Sequence, residues 1–376
     1  MNKVTAQELS ALEADSTVIV DIRSEEAFSC GHVLGAINVP IEKIDKTIFS
    51  RDKQIVVYCR SGKLSYDVVE RLCEKGYNAS ELSGGYVAWL NAHISDLSQD
   101  TASQVENGIR TKFSKKLFTK FAKAITTYRL LEEGDKVAVC ISGGKDSMLM
   151  AKLFQELKRH NKFAFELVFL VMDPGYSPAN REIIERNAKV LNVPITVFET
   201  DIFDNVFNID KSPCYICARM RRGHLYAKAK ELGCNKIALG HHYDDVIETT
   251  LMGMLYGGQM QTMMPRVDST NFDGMRLIRP MYLIREADIK AWRDFYNLQF
   301  IQCACKFTDT CTSDVCQANS NTGSKRKKVK DLIRALANED PEIEQNIFKS
   351  TENVNLSTVL AYKDKQGVKH YFFDED

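Results

Sequence analysis

The 376-residue sequence has no apolar run as long as the roughly 18 residues that a membrane-spanning helix requires. It also lacks a secretory signal, because acidic residues interrupt its first stretch, MNKVTAQELSALEADS, where a signal peptide has an apolar core. Net charge is absent as well, since 50 Lys and Arg balance 50 Asp and Glu. These absences predict a cytoplasmic protein with no membrane partner, and the 44% apolar content excludes wholesale disorder.

The balanced total conceals an uneven distribution of charge along the chain. Residues 1–95 carry 10 Lys and Arg against 13 Asp and Glu, and residues 338–376 carry 4 against 9. The middle of the chain is therefore basic. We expect an anionic partner to contact that middle, because a basic surface attracts anions over long distances.

The length predicts two or three domains of the usual size. We predict an α/β domain over residues 1–95, beginning with a short helix whose capping box is Thr5 and Glu8. A polar linker is expected at 96–106, a second domain at 107–337 and an acidic C-terminal extension at 338–376.

Strands and helices alternate in the second domain, which predicts a parallel sheet with helices on both faces and ligands at the carboxyl ends of its strands. The predicted strands are 136–141, 166–172, 195–199 and 236–239. The predicted helices are 146–160, 179–191, 215–232, 243–256, 286–298 and 325–337.

Residues 107–130 form a predicted amphipathic helix with an unusual charge pattern. Its apolar residues recur at helical spacing, and the segment holds seven Lys and Arg and no acid. One interpretation is a helix that packs on the next domain and exposes a solvated charged face. The other is a helix that faces nucleic acid, which the absence of acids favours.

Cys59 lies where a predicted buried strand, residues 54–58, runs into a turn containing Gly62 and then a helix. Consecutive N–H groups in such a turn point inward and bind anions, so they stabilise a thiolate and make it nucleophilic. A cysteine-based phosphatase needs an arginine six positions after the cysteine, but this chain has Ser65. The pattern favours sulfur transfer through a persulfide, and a structural cysteine at the end of a core strand is the alternative.

Four motifs in residues 1–95 resemble a single rhodanese domain. They are DIR at 21–23, GHVLGAINVP at 31–40, CRSG at 59–62 and GGYVAW at 84–89. The resemblance implies a rhodanese-like α/β fold and a persulfide carried by Cys59. Leu64 departs from the family, which often has arginine there, and this argues against thiosulfate as the sulfur donor.

A second glycine turn follows the strand at 136–141 and opens a helix. Its glycines allow close approach of an anion, and the helix N-terminus favours negative charge. The kinase and GTPase motif GxxxxGK[ST] is absent, whereas SGGKDS matches the pyrophosphate loop of the PP-loop ATP pyrophosphatases. That match implies a fold with a parallel sheet, ATP binding and adenylation of a carbonyl oxygen. The residues it implicates are Ser142, Gly143, Gly144, Lys145, Asp146 and Ser147.

Two further segments follow predicted strands of the same sheet. Met172 ends the second strand, where an adenine edge would lie, and Gly240 and His241 follow the fourth. Asp146 and Asp245 are the carboxylates predicted to hold Mg²⁺ against phosphate oxygens. The alternatives are structural: a packed histidine, and an aspartate that caps the following helix.

Eleven cysteines, an odd number, argue against a disulfide framework in a chain without a secretory signal. Cys214 and Cys217 form a Cys-x-x-Cys pair, and a second group begins at Cys303 and Cys305. Structural zinc prefers two Cys-x-x-Cys pairs, whereas an iron–sulfur cluster with three protein cysteines and one open iron fits the irregular second group. A catalytic cysteine pair and a zinc site remain alternatives.

Several motifs resemble the tRNA 2-thiocytidine synthetases, a family of PP-loop enzymes. They are SGGKDS, PCYIC at 213–217, GHHYDDVIET at 240–249 and the stretch 257–265, and the resemblance covers about residues 107–310. It implies a [4Fe-4S] cluster bound by Cys214, Cys217 and one later cysteine, Cys303 or Cys305.

Together these observations predict an ATP-dependent tRNA sulfurtransferase that activates the C2 oxygen of a base, expected to be cytidine. Cys59, Asp146, Cys214 and Cys217 are the predicted catalytic residues, and a cysteine desulfurase is the predicted sulfur donor. One alternative is an enzyme that thiolates another tRNA base or a small molecule. Another is a non-catalytic sulfur carrier or redox sensor. The oligomeric state stays open, with a homodimer as one option.

Overall fold

The structure, a computed structural model, describes residues 3–97, 100–202, 213–301, 325–364 and 366–373. These residues form two compact units. One comprises the described residues of 1–243 and 265–313 and contains both large sheets, and the other comprises those of 244–264 and 314–376. No helix in the described ranges is both long and apolar enough to cross a membrane.

The N-terminal residues form a five-stranded sheet in which every pairing is parallel. Its strands are β1 (Lys3–Val4), β2 (Thr17–Asp21), β3 (Ile37–Asn38), β4 (Gln54–Tyr58) and β5 (Ala79–Leu82). In space they follow the order β1-β5-β4-β2-β3. This confirms the α/β fold expected there and places Cys59 directly after the central strand.

Helices cover both faces of this sheet. Successive residues of β4 point to opposite faces, so the strand presents apolar side chains to helices on each side. The helices are α1 (Ala6–Ala11), α2 (Glu25–Cys30), α3 (Lys63–Glu74) and α4 (Gly85–Asp96). Val56 packs with residues of α1 and α4, whereas Val57 packs with residues of α3. The predicted capping box is present: the Glu8 N–H donates to Thr5 Oγ1, and the Thr5 N–H donates to the Glu8 carboxylate.

Between the two sheets the chain is more helical than its polar sequence suggests. It contains α5 (Thr101–Arg110), a π-helical turn (Ser114–Phe118) and α6 (Thr119–Thr127). Helix α5 occupies residues 101–106 of the linker predicted at 96–106, and the domain boundary there stays a prediction. The helix predicted over 107–130 is corrected, because it is broken around Thr111. The apolar positions that order α5, Val105 and Ile109, are fully buried but begin only after the polar stretch.

The second sheet has six strands: β6 (Lys136–Ile141), β7 (Glu166–Asp173), β8 (Ile195–Glu199), β9 (Lys236–Ala238), β10 (Arg266–Asp268) and β11 (Arg276–Ile278). Their spatial order is β10-β11-β9-β6-β7-β8. The four predicted strands are confirmed and parallel. The sheet also includes β11 and an antiparallel edge strand, β10, which were not predicted because three residues carry no readable periodicity.

The remaining elements are helices and one hairpin. The helices are α7 (Lys145–His160), α8 (Pro178–Val190), α9 (Pro213–Glu231), α10 (Tyr243–Gly257), α11 (Glu286–Phe295), α12 (Lys325–Glu339) and α13 (Ile343–Ser350). Near the C-terminus β12 (Ala361–Lys363) pairs antiparallel with β13 (Lys369–Tyr371). The predicted helices correspond to α7 through α12, whereas α13 and the hairpin were not predicted.

The two sheets of the first unit share one apolar core. Trp89 and Leu90 of α4 belong to the same buried cluster as Ile183 and Ile184 of α8 and Ile109 of α5. Helices α4 and α8 are in direct contact. The N-terminal domain is therefore packed on the second sheet through buried apolar side chains. Burial of apolar surface between two domains favours a fixed arrangement of the two.

A close contact within this core generates a stability prediction. A Cβ atom at Gly108 would lie 1.6 Å from Oη of Tyr296, whose ring packs against Phe113. Gly108→Ala should therefore destabilise the protein by about 1–3 kcal/mol, the usual cost of overpacking. Gly223 is the matched control, because it lies in α9 and a Cβ there would have no atom within 4 Å, so Gly223→Ala should be neutral or slightly stabilising.

Thermal unfolding of both variants checks this expectation. Equal melting temperatures for Gly108→Ala and the parent would show that the Tyr296 side chain can move away without a loss of stability, and that α5 is not tightly packed.

Candidate active sites

The first candidate site is the loop between β4 and α3. Cys59 is only 3% exposed, and the N–H of Gly62 donates a hydrogen bond to its Sγ over 3.2 Å. Gly62 precedes α3 and has φ of +92°, a conformation that glycine adopts without strain. The Oγ of Ser65 lies 3.5 Å from the same sulfur. The predicted turn is thus present. Ser65, which in the sequence served only as evidence against a phosphatase, contacts the thiol.

Helix α4 supports this loop from behind. A Cβ at Gly85 would lie 2.6 Å from the carbonyl oxygen of Cys59 and 2.7 Å from the nitrogen of Gly62, so only glycine fits. The N–H of Tyr86 donates to the Cys59 carbonyl (2.9 Å), and the N–H of Val87 donates to the Arg60 carbonyl (3.1 Å). The start of α4 and the Cys59 loop therefore form one hydrogen-bonded unit.

A buried ion pair braces the same helix. Arg23 contacts the fully buried Asp21 through two nitrogens, at 2.9 and 2.6 Å, and donates to the Gly31 carbonyl. Its guanidinium lies 4.0 Å from the ring centroid of Tyr86, within cation–π range. Burial lowers the pKa of Arg23, but the hydrogen bond and charge of Asp21 outweigh burial and raise it overall. Arg23 therefore stays charged.

The other described cysteines lack this environment. Burial and, secondarily, Cys234 raise the pKa of Cys140 to about 12, and burial also raises the pKa of Cys234. Both lie in an apolar cluster of the second sheet. Cys73 is exposed near the end of α3. Of these thiols, Cys59 is the one that receives a backbone N–H bond in a strand-to-helix turn.

The second candidate site is the loop between β6 and α7. The Ser142 N–H donates to Ser147 Oγ (3.2 Å), and that hydroxyl donates to the Gly144 carbonyl (2.9 Å). Gly143 has φ of +85°, and a Cβ there would lie 2.6 Å from Cγ1 of Ile184. The predicted loop therefore closes on itself at the start of α7, where the helix N-terminus favours an anion.

Charged side chains surround this loop. Lys145 is buried, with Nζ at 3.1 Å from Asp146 Oδ2 and 3.5 Å from Glu286 Oε1. Asp146 Oδ1 is buried and has no hydrogen-bond partner among the described residues. An unsatisfied carboxylate oxygen of this kind suits a hard cation such as Mg²⁺. No sequence pattern pointed to Glu286, because it lies far along the chain at the start of α11.

Gly240, which follows β9, approaches the same loop. A Cβ at Gly240 would lie 3.4 Å from the backbone nitrogen of Ser147, so the two strand ends meet at the start of α7. His241 follows directly, and His242 is buried. The structure thus brings Gly240 together with the predicted loop residues.

The remaining predicted nucleotide residues have partners of their own. Met172 is buried in a small apolar cluster with Ile202, so its side chain belongs to the core at the end of β7. The next residue, Asp173, accepts hydrogen bonds from the N–H groups of Gly175 and Tyr176 and shapes the loop after β7.

Asp245 lies in the second unit. Its carboxylate is 2.6 Å from Arg326 of α12, which also contacts the buried Glu248. Its predicted role as a Mg²⁺ ligand therefore requires that it share or leave this pair, and it stays a prediction.

The predicted cluster cysteines are not open to geometric description. Cys214 and Cys217 occupy the first turn of α9, but their side chains lie outside the described residues, as do Cys303 and Cys305 entirely. Among the residues that are described, no group of three or more His, Cys, Asp or Glu is arranged to hold a metal. The cluster remains a prediction from spacing.

Each of the two loops lies in a region that matches a known protein family. Residues 5–92 match the rhodanese-like domain family, and residues 111–307 match the PP-loop domain family. A tRNA-cytidine(32) 2-sulfurtransferase of Shewanella amazonensis is 33% identical over 75% of this chain and 82% of its own length. The enzyme of the same name from Neisseria meningitidis is 32% identical over 69% and 77%.

Among solved structures, the U34-tRNA thiolase NcsA of Methanococcus maripaludis, with its [4Fe-4S] cluster, matches with a TM-score of 0.47 and 21% identity. That match covers 62% of this chain and 76% of the thiolase. From the family matches and the sulfurtransferase relatives it follows that this chain belongs to the PP-loop ATP pyrophosphatase family, and that it is an enzyme with an N-terminal rhodanese domain.

Proposed function

We propose that this protein is an ATP-dependent tRNA sulfurtransferase that converts cytidine 32 of tRNA to 2-thiocytidine. The observation that carries the proposal is that one compact unit contains both a thiol held in a backbone N–H turn and a glycine loop suited to pyrophosphate. The names of the relatives supply the base and its position. Residues 1–95 carry sulfur in this proposal, and residues 107–337 activate the base.

ATP occupies the loop from Ser142 to Ser147, with pyrophosphate at the start of α7. Phosphate oxygens compete with Asp146 and Glu286 for Lys145, whose buried ammonium then neutralises charge that develops as the α–β bond breaks. Mg²⁺, when bound at Asp146, would withdraw further charge from the phosphates. The C2 oxygen of cytidine attacks the α-phosphorus, pyrophosphate leaves, and the adenylated oxygen becomes a good leaving group.

Sulfur enters at Cys59. Its thiolate attacks the outer sulfur of a desulfurase persulfide, so the desulfurase cysteine leaves as a thiolate and Cys59 holds the persulfide. The Gly62 N–H stabilises the attacking thiolate. Release of that sulfur at the sulfide level needs two electrons, which two thiols of an external reductant supply by forming a disulfide. The sulfide sulfur then bonds to C2, and AMP leaves.

A [4Fe-4S] cluster on Cys214, Cys217 and Cys303 or Cys305 forms part of the proposal. An iron without a protein ligand would hold sulfide near the activated base and protect it from loss. Support for this ligand set is the resemblance to the tRNA 2-thiocytidine synthetases, together with the spacing of the cysteines in the sequence.

The basic segment around α6 is the proposed contact for the tRNA backbone. Arg110 pairs with the buried Glu156, and Lys116 and Lys120 share Asp288, so fewer cations are available than the sequence implies. Lys115 and Lys123 are exposed and have no carboxylate partner in the described part of the chain. These two are the best candidates for phosphate contacts, whose strength falls as salt rises.

Substitution of Asp146 tests the adenylation step. Asp146→Asn should keep the fold and tRNA affinity but release AMP about 10²–10³ times more slowly, the usual cost of losing a charge-stabilising group. Asp331→Asn removes the same charge from an exposed position on α12 and serves as control. The measurement is tRNA-dependent formation of AMP and pyrophosphate at saturating Mg²⁺. Formation of ADP and phosphate by the parent would contradict the mechanism.

Substitution of Cys59 tests the sulfur route. Cys59→Ser should lose persulfide loading from a desulfurase, because serine cannot form the S–S bond, while ATP binding survives. Excess free sulfide should still drive thiolation, because sulfide bypasses the rhodanese loop. The exposed Cys73 of the same domain offers the control, Cys73→Ser, which should load normally. If Cys59→Ser also loses the sulfide-driven reaction, then Cys59 is not simply an upstream carrier.

The cluster has its own test. Anaerobically purified parent protein should be brown and contain about four irons per chain. Cys214→Ala or Cys217→Ala should lose the iron and the thiolation activity, whereas Cys73→Ser should retain both. Metal analysis and the visible absorption spectrum make the comparison, and stoichiometric zinc in place of iron would rule the cluster out.

A further inference from the structure

Residues 297–301, which we call the bridge segment, follow α11 and accept hydrogen bonds from helices of both domains, α4 and α8. On one side, Nε2 of His93 lies 3.0 Å from the Asn297 carbonyl, and Oη of Tyr86 donates to Oε1 of Gln299 over 3.3 Å. On the other side, Nδ2 of Asn187 in α8 donates to the Gln299 carbonyl over 3.1 Å. Gln299 thus receives one hydrogen bond from the rhodanese domain and one from the PP-loop domain.

Tyr86, in α4, also supports the Cys59 loop. Its N–H donates to the Cys59 carbonyl, while its ring packs under the guanidinium of Arg23. The backbone of Tyr86 therefore supports the sulfur-carrying loop, and its hydroxyl holds the bridge segment. Both the Tyr86 and Gln299 side chains are buried, so water offers no ready substitute for their hydrogen bond.

Two glycines keep the bridge segment close to both loops. A Cβ at Gly31 would lie 2.6 Å from Oη of Tyr86 and 2.9 Å from Oε1 of Gln299, so a side chain there would push into this contact. At the other end of the segment, Cδ1 of Ile301 would lie 3.2 Å from a Cβ at Gly143. A continuous set of contacts thus runs from the Cys59 loop through Tyr86, Gln299 and Ile301 to the ATP loop.

We propose that Tyr86 is a positioning residue for sulfur transfer: through Gln299 it fixes the Cys59 loop relative to the ATP loop. The proposal rests on the proposed function and adds to it that sulfur is delivered from a docked rhodanese domain, not from one that swings on a linker. Small displacements of reacting groups reduce rates strongly, so a change at this contact affects delivery more than either partial reaction.

The experiment compares Tyr86→Phe, Gln299→Leu and the double variant with the parent. Tyr66→Phe, at an exposed tyrosine of α3, is the matched control. Each protein is loaded with one persulfide on Cys59 by a desulfurase, and tRNA thiolation is followed in a single turnover with ATP and a thiol reductant. Stoichiometric loading keeps sulfide in solution far below the concentration used in a parallel reaction driven by free sulfide.

For Tyr86→Phe we expect parent-like persulfide loading, parent-like sulfide-driven thiolation, and persulfide-driven thiolation slowed on the order of tenfold. Faster hydrogen exchange at the amides of residues 298–301 should accompany this loss. The double variant should be less impaired than the product of the two single effects, because removal of both partners leaves no buried group unsatisfied.

Two outcomes would overturn the proposal while the proposed function stands. One is an equal loss in the persulfide-driven and sulfide-driven reactions, which indicates general damage, and the other is Tyr86→Phe behaving like Tyr66→Phe. If the parent thiolates tRNA with neither sulfur source, the proposed function fails and this proposal fails with it.

Discussion

Both sites depend on one constraint of parallel sheets: the end of a strand that runs directly into a helix exposes backbone N–H groups that no strand or helix partner uses. At the end of β4 one such group, on Gly62, points at the sulfur of Cys59. At the end of β6 the loop from Ser142 to Ser147 opens α7 in the same way. A thiolate and a pyrophosphate are both anions, so the same local geometry suits the sulfur transfer and the ATP cleavage that we propose for these loops.

Buried charged side chains lie beside both loops, in addition to the backbone N–H groups. An isolated buried charge is costly, and even a paired one is weak support for stability. Asp21 with Arg23 and Lys145 with Glu286 are nevertheless found beside the Cys59 loop and the ATP loop, respectively. Arg23 packs on Tyr86, whose N–H bonds to the Cys59 carbonyl, and Lys145 lies beside Asp146 at the loop proposed to bind pyrophosphate. Their positions are better explained by the loops that they support than by fold stability.

Features that depend on residues close together in the sequence could be predicted, whereas contacts between residues far apart in the sequence could not. The Thr5 and Glu8 capping box, the strand before Cys59 and the SGGKDS turn are local patterns, and the structure has all three. The contact between Tyr86 and Gln299 joins residues 213 positions apart, and neither residue type signals it. Residues 101–106 of α5 were not predicted to be helical, because only Thr101 and Val105 among them are buried and most of the others are polar.

Burial of Cys59 has two opposing effects on the sulfur transfer proposed for it: it protects the sulfur, and it restricts access to it. A thiol that is 3% exposed is shielded from solvent oxidants, because oxidation follows exposure as well as thiolate character. In the proposed route, a desulfurase nevertheless has to bring its own persulfide into contact with this sulfur. Helix α4 packs against the backbone of Cys59 and Gly62, whereas Leu64, at the start of α3, is exposed. Because the rhodanese domain is packed on the second sheet, access to Cys59 requires the opening of a few residues of its loop and not a movement of the whole domain. Local opening of this kind costs less free energy than separation of the two domains.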